Sequence, residues 1–172
     1  MSTKNKLSIA FFILLSIKAF GQRTDTTSGT IKVAKPKNVC DTCVYDVSEI
    51  DEQPKFPGGD VGFITFLQKN IRYPQIAKEN GVQGIVFVTF VINKAGDVKE
   101  LKLFNNSENK AKFQTTIDTS DIKQRANYQQ AQKELEKEAI RVFQTTPKWS
   151  AGKANKQFVN VRYVMPVYFK LK

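Results

Sequence analysis

Phe158-Val159-Asn160-Val161-Arg162-Tyr163-Val164-Met165-Pro166-Val167-Tyr168-Phe169-Lys170-Leu171 is the stretch on which the fold turns. Val159, Val161, Tyr163, Met165, Val167, Phe169 and Leu171 fall on one face at period two, the signature of a strand with a buried side. The other face is more mixed and carries Asn160, Arg162, Tyr168 and Lys170. Proline brings no N–H to a sheet ladder, so Pro166 predicts an edge strand. Such an edge leaves backbone donors and acceptors unpaired. It is either a hazard or a docking site for another extended chain.

A strand with one apolar face needs partners. Gly84 to Ile92 supplies one, with Val86, Val88, Phe90 and Ile92 on one side and Ile85, Phe87, Thr89 and Val91 on the other. Asn93-Lys94-Ala95-Gly96-Asp97 reads as a hairpin turn with glycine placed for positive φ. Val98 to Phe104 then pairs back. Upstream, Pro54, Pro57, Gly58 and Gly59 mark turns. Asp60 is the expected N-cap of a helix over 61–70, buried through Phe63, Phe66 and Leu67. Tyr73-Pro74 breaks it, and a short helix over 75–80 stops at Gly81. Gln130 to Gln144 is a further helix, with Leu135, Ala139, Val142 and Phe143 inward and Glu134, Glu136, Lys137, Glu138 and Arg141 mostly outward. Pro147 ends it. Residues 105–129 are polar and aperiodic and read as an insertion, with packing or a short helix expected around Phe113 or Ile117. The fold class is therefore α+β: a small antiparallel three-stranded sheet with two main helices on one face, in the order α-β-β-α-β.

The chain has 172 residues, 41% of them apolar, enough to build a core. Lys4 and Lys6, an apolar run over 7–17 and Ala19-Phe20-Gly21 read as a signal peptide over residues 1–21. The run is too short for a spanning helix, which needs about 20 apolar residues. An uncleaved inner-membrane anchor is the alternative. Removing residues 1–21 takes three lysines away and leaves 24 basic and 16 acidic residues, a net +8. Export directs the reading to the periplasm and away from nucleic acid. Residues 22–46 read as a flexible leader and 47–172 as the domain. Ala139 to Lys172 holds seven basic residues and no acid. That run is either a solvated face or a binding patch for an anionic lipid, an acidic peptide or a cell-wall polymer.

Little in the sequence points to catalysis. There is no histidine, which removes the commonest general base and metal ligand. Cys40 and Cys43 form a CxxC pair in a polar leader, without the strand–helix setting of a redox site. In an exported chain a disulfide or inert thiols are the simpler reading. Metal binding lacks further His or Cys ligands. The glycine pairs fit no phosphate-binding motif. Trp149 and the late aromatics read as core. The expectation is a non-enzyme with no metal and no cofactor.

The order of motifs resembles a known family. Phe56-Pro57-Gly58-Gly59 is followed by Tyr73-Pro74 with Ala77 and Gly81, then by Gly84 with Val86, Val88, Phe90 and Val91, and by Gly96. Glu138-Ala139, Arg141-Val142, Pro147-Lys148-Trp149 and Val164-Met165-Pro166-Val167-Tyr168-Phe169 complete the set. Over 47–172 the chain is similar to the TonB C-terminal domain, in the energy-transducer form common in Bacteroidota. The resemblance implies a periplasmic domain that adds the TonB-box peptide of an outer-membrane TonB-dependent transporter as a strand beside its own last strand. It places that peptide along Phe158, Val159, Asn160, Val161, Arg162, Tyr163 and Val164, with side contacts from Asn70, Ile71 and Arg72. It also implies an inner-membrane proton-driven motor if the anchor stays uncut. The alternatives are a structural or cell-wall-binding adaptor and a homodimer paired through the edge strand.

Overall fold

The computed structural model describes residues 39–105 and 111–171. The segment read as a signal peptide, the expected leader up to residue 38 and part of the expected insertion lie outside these residues. In chain order the described residues form β1 (Val44–Asp46), a 3-10 turn (Val47–Glu49), α1 (Gly59–Asn70), α2 (Gln75–Glu79), β2 (Gln83–Ile92), β3 (Val98–Leu103), β4 (Lys112–Gln114), α3 (Ile122–Gln144), β5 (Gly152–Ala154) and β6 (Gln157–Phe169). The architecture is α+β.

The three antiparallel strands read from the sequence form the centre of the sheet, in the order β6-β2-β3. β2 and β6 pair continuously from Gly84↔Phe169 to Ile92↔Val161. Val86, Val88, Phe90, Ile92, Val159, Val161, Tyr163, Val167 and Phe169 are buried together on one face. The sheet is wider than three strands, however. β4 adds to β2, β5 forms a tight hairpin with β6, and β1 joins β6 in parallel. The sheet thus takes in Val44–Asp46, just ahead of the expected domain start near Val47.

Pro166 sits inside a strand whose neighbour is fully paired, and the register explains how. Pro166 lies opposite Phe87. The Phe87 carbonyl accepts the Phe104 N–H at 2.8 Å, on the β3 side. Residues of an antiparallel pair alternate between facing their partner and facing away. Phe87 and Pro166 are therefore a non-hydrogen-bonded pair, and the proline nitrogen faces away from β2. The β2–β6 ladder loses no bond to it.

α1 and α3 cover the buried face. Phe56, Phe63, Phe90, Phe143 and Trp149 meet in one aromatic cluster, with ring centroids 4.9 to 5.9 Å apart. Tilted and edge-on pairs of this kind add roughly 0.5–1.5 kcal/mol each beyond area burial. Gly96 fixes the hairpin against this cluster. Its φ is +84°, its carbonyl accepts the Trp149 N–H at 2.8 Å, and a Cβ there would stand 2.0 Å from the Trp149 carbonyl oxygen.

Three local readings are corrected. Gly58, at φ +80°, is the N-cap of α1, and the expected cap Asp60 lies within the first turn, where its charge suits the positive end of the helix. α3 starts at Ile122 instead of Gln130, because the Asp121 carboxylate accepts the Gln124 N–H at 2.9 Å and caps it. Phe113 packs against the core, one of the two outcomes expected there, and does so from a strand. The third concerns Glu138. It was expected on the outer face of α3 but is buried, at 8% exposure.

Candidate functional site

The site is the edge of β6 that faces away from β2. By the alternation above, Asn160, Arg162, Val164, Pro166 and Tyr168 direct their backbone groups to it. The expectation of a fully exposed edge is corrected here. Gln157, Phe158 and Val159 are already paired with Ala154, Lys153 and Gly152 of β5. Asn160, Val161 and Arg162 are paired with Val44, Tyr45 and Asp46 of β1. Beyond Arg162, among the described residues, no strand pairs with this edge up to Phe169. Of the seven positions the resemblance assigns to the peptide, only Tyr163 and Val164 lie past the existing pairings.

Side chains along the edge divide by face. Val159, Val161 and Tyr163 enter the core. The Tyr163 hydroxyl donates to the Pro54 carbonyl at 3.2 Å. Burial, helped by the charge of Asp60, pushes its phenol up to about 12. Phe158, Val164 and Tyr168 are exposed on the opposite face. The Lys153 ammonium lies 5.5 Å from the centre of the Phe158 ring, a cation–π contact. Arg162 faces Glu100 at 3.7 Å.

The N-terminal end of the edge is held by a compact cluster. Cys40 and Cys43 form a disulfide with Cα atoms 5.3 Å apart. The Cys40 N–H donates to the Tyr45 hydroxyl at 2.8 Å. The Asn160 side chain accepts the Lys94 N–H at 3.2 Å and donates to the Cys43 carbonyl at 3.4 Å. Lys94 and Asp41 pair at 2.6 Å, and Lys94 thereby holds the Asp41 carboxyl below the usual carboxylate range. The disulfide loop is thus a structural latch against β6. A CxxC spacing alone could not have placed it there.

Asn70, Ile71 and Arg72 form the bend after α1. The Asn70 carbonyl accepts from Arg141 at 2.6 Å, and the Arg72 N–H donates to Glu138 at 2.6 Å. Arg141 and Glu138 meet through two further contacts of 2.6 and 2.7 Å, and this hydrogen bond raises the Arg141 pKa. The segment is thus tied to α3 through Asn70 and Arg72 and back to α1 through the Asn70 side chain and the Ile71 N–H. Glu138 and Arg141 escaped notice as positioning residues because their charges read as a solvated face; their i,i+3 spacing was the available signal.

The basic run over 139–172 is largely matched by acids from elsewhere. Besides Arg141 and Arg162, Lys148 pairs with Asp97 at 3.2 Å and Lys153 with Glu52 at 2.9 Å. Among the described residues no helix is long and apolar enough to cross a membrane, and no cluster of metal-ligating residues forms.

The arrangement is an α+β domain whose long strand β6 is latched at one end and, among the described residues, open at the other. Residues 69–119 match the family described as Gram-negative bacterial TonB protein C-terminal. Two solution structures of the Helicobacter pylori TonB C-terminal domain are also similar. One is 28% identical, covers 67% of this chain and 87% of its own, and has a TM-score of 0.32. The other is 22% identical, covers 65% and 92% respectively, and has a TM-score of 0.34. No curated protein matches.

Proposed function

We propose that this domain binds an extended peptide by strand addition along the outer edge of β6, and that the peptide is the TonB box of an outer-membrane TonB-dependent transporter. The observation that carries the reading is the edge itself. It holds an extended segment in the sheet at Asn160–Arg162 and, among the described residues, continues without a strand partner toward Phe169. The TonB C-terminal sequence over 69–119 supports the choice of partner.

Backbone hydrogen bonds supply the affinity in this mode, and alternate side chains set the register. No covalent step is involved. Location in the periplasm and a link to energised transport follow from the same family reading. Titration of the full chain with a TonB-box peptide, and with the same peptide carrying an internal proline, tests it. Strand addition expects the proline to weaken binding at least tenfold. Equal affinity for both peptides overturns it.

A further inference from the structure

β1 is an unusual member of this sheet. It has three residues and is the only described strand parallel to its neighbour. Parallel pairing is slightly weaker per residue than antiparallel, and so short a strand has little stability of its own. Two features outside its ladder hold it. Tyr45 is buried at 6% exposure in the register of Val161. The disulfide loop that precedes it is tied down through Tyr45, Asn160 and Lys94. The remaining side chains, Val44 and Asp46, are more exposed. A single bulky side chain and a latch thus fix a segment that otherwise behaves as a bound peptide.

We infer that β1 is a resident occupant of the peptide edge, displaced when a partner docks. The inference rests on the docking reading above and specifies the ligand. The partner is an extended segment running parallel to β6. It carries a bulky apolar or aromatic residue that takes the Tyr45 position, flanked by residues that stay at the surface. Its affinity is lowered by the fraction of molecules in which β1 is docked. The Cys40–Cys43 loop sets that fraction by restraining the undocked segment. The open stretch from Tyr163 to Phe169 is where the incoming chain can first pair before β1 leaves.

The test uses the full chain and a synthetic peptide spanning residues 43–48, with serine in place of the cysteine. Tyr45→Ala is expected to bind this peptide at least tenfold more tightly than the parent protein, because the resident segment loses its anchor. Should that variant not fold, the triple variant Cys40→Ser, Cys43→Ser, Asp41→Lys decides. It loosens the latch without emptying the core. Its Asn160 and Arg162 amides are expected to exchange at least tenfold faster while Val88 stays protected. A folded Tyr45→Ala protein with unchanged affinity, or a triple variant with unchanged exchange, overturns the inference. A TonB-box peptide that binds parent and variants alike keeps the docking reading and removes the occupant. The 43–48 peptide binding the variants while TonB-box peptides bind none keeps the occupant and removes the partner.

Discussion

Glu138 on α3 receives the backbone N–H of Arg72 across a gap of 66 residues, at 2.6 Å. The same carboxylate holds Arg141, which in turn reaches the Asn70 carbonyl. One buried side chain thereby sets where α1 ends and where the chain turns toward α2.

Removing that carboxylate leaves a donor and a cation without their acceptor. Glu138→Ala is expected to cost about 2–3 kcal/mol. Glu138→Gln keeps an acceptor for Arg72 and should cost roughly 1 kcal/mol. Urea denaturation of the two variants checks the order. Equal losses would show that the charge accounts for the whole effect and that the acceptor kept by glutamine contributes nothing.

Gly96→Ala is expected to destabilise strongly. A left-handed backbone costs an L-residue roughly 1–2 kcal/mol, and the new Cβ would collide with the Trp149 carbonyl. Because the collision lies beside the aromatic cluster, tryptophan fluorescence should shift with the fall in melting temperature. Ala95→Gly, one residue away, is the control and should leave the fluorescence unchanged.

Stability should fall at alkaline pH. Burial raises the phenols of Tyr163 and Tyr73 from the ordinary 10 to about 12. Between these values the folded protein retains protons that the unfolded chain has released, so stability declines as pH rises through that window. It is fully present below pH 10. For Tyr163, with 7% exposure, the loss is roughly 2 kcal/mol. Urea midpoints measured across the window, alongside Tyr163→Phe, isolate that part. The phenylalanine variant should show the shallower decline.

Pro166→Val restores a backbone N–H on the open side of β6. The β2–β6 ladder is untouched, since the proline nitrogen faces away from it. Stability is expected to change by less than about 1 kcal/mol, while self-association through the edge increases. Sedimentation velocity across a concentration series measures the second effect. A variant as monomeric as the parent would show that another feature protects this edge.

The central strands were legible because their faces repeat at period two over many residues. The inward faces of β2 and β6 are those the alternation predicts, and Leu135, Ala139, Val142 and Phe143 are buried as their spacing requires. β1 and β5 were not legible, since three residues carry no period and owe their conformation to partners distant in sequence. The early turns of α3 were hidden by Lys123, Gln124, Arg125 and Asn127, which offer no apolar stripe. At the open edge of β6, Pro166 indeed turns its nitrogen away from the β2 ladder. The sequence alone did not say that Asn160–Arg162 would already be taken. That depended on Tyr45, an isolated aromatic in a polar leader.

The placement of β6 has a kinetic consequence. It is the last element in the order, yet it lies between β2 and β1 in the sheet. Until those residues are available, β2 lacks its longest partner, and Phe90 and Trp149 lack the neighbouring Tyr163 ring. Pairings that span such sequence distances demand loop closure before any contact rewards it, which slows folding. A partly synthesised chain of this protein therefore holds helices and one hairpin without a finished core. Commitment to the native state waits for β6.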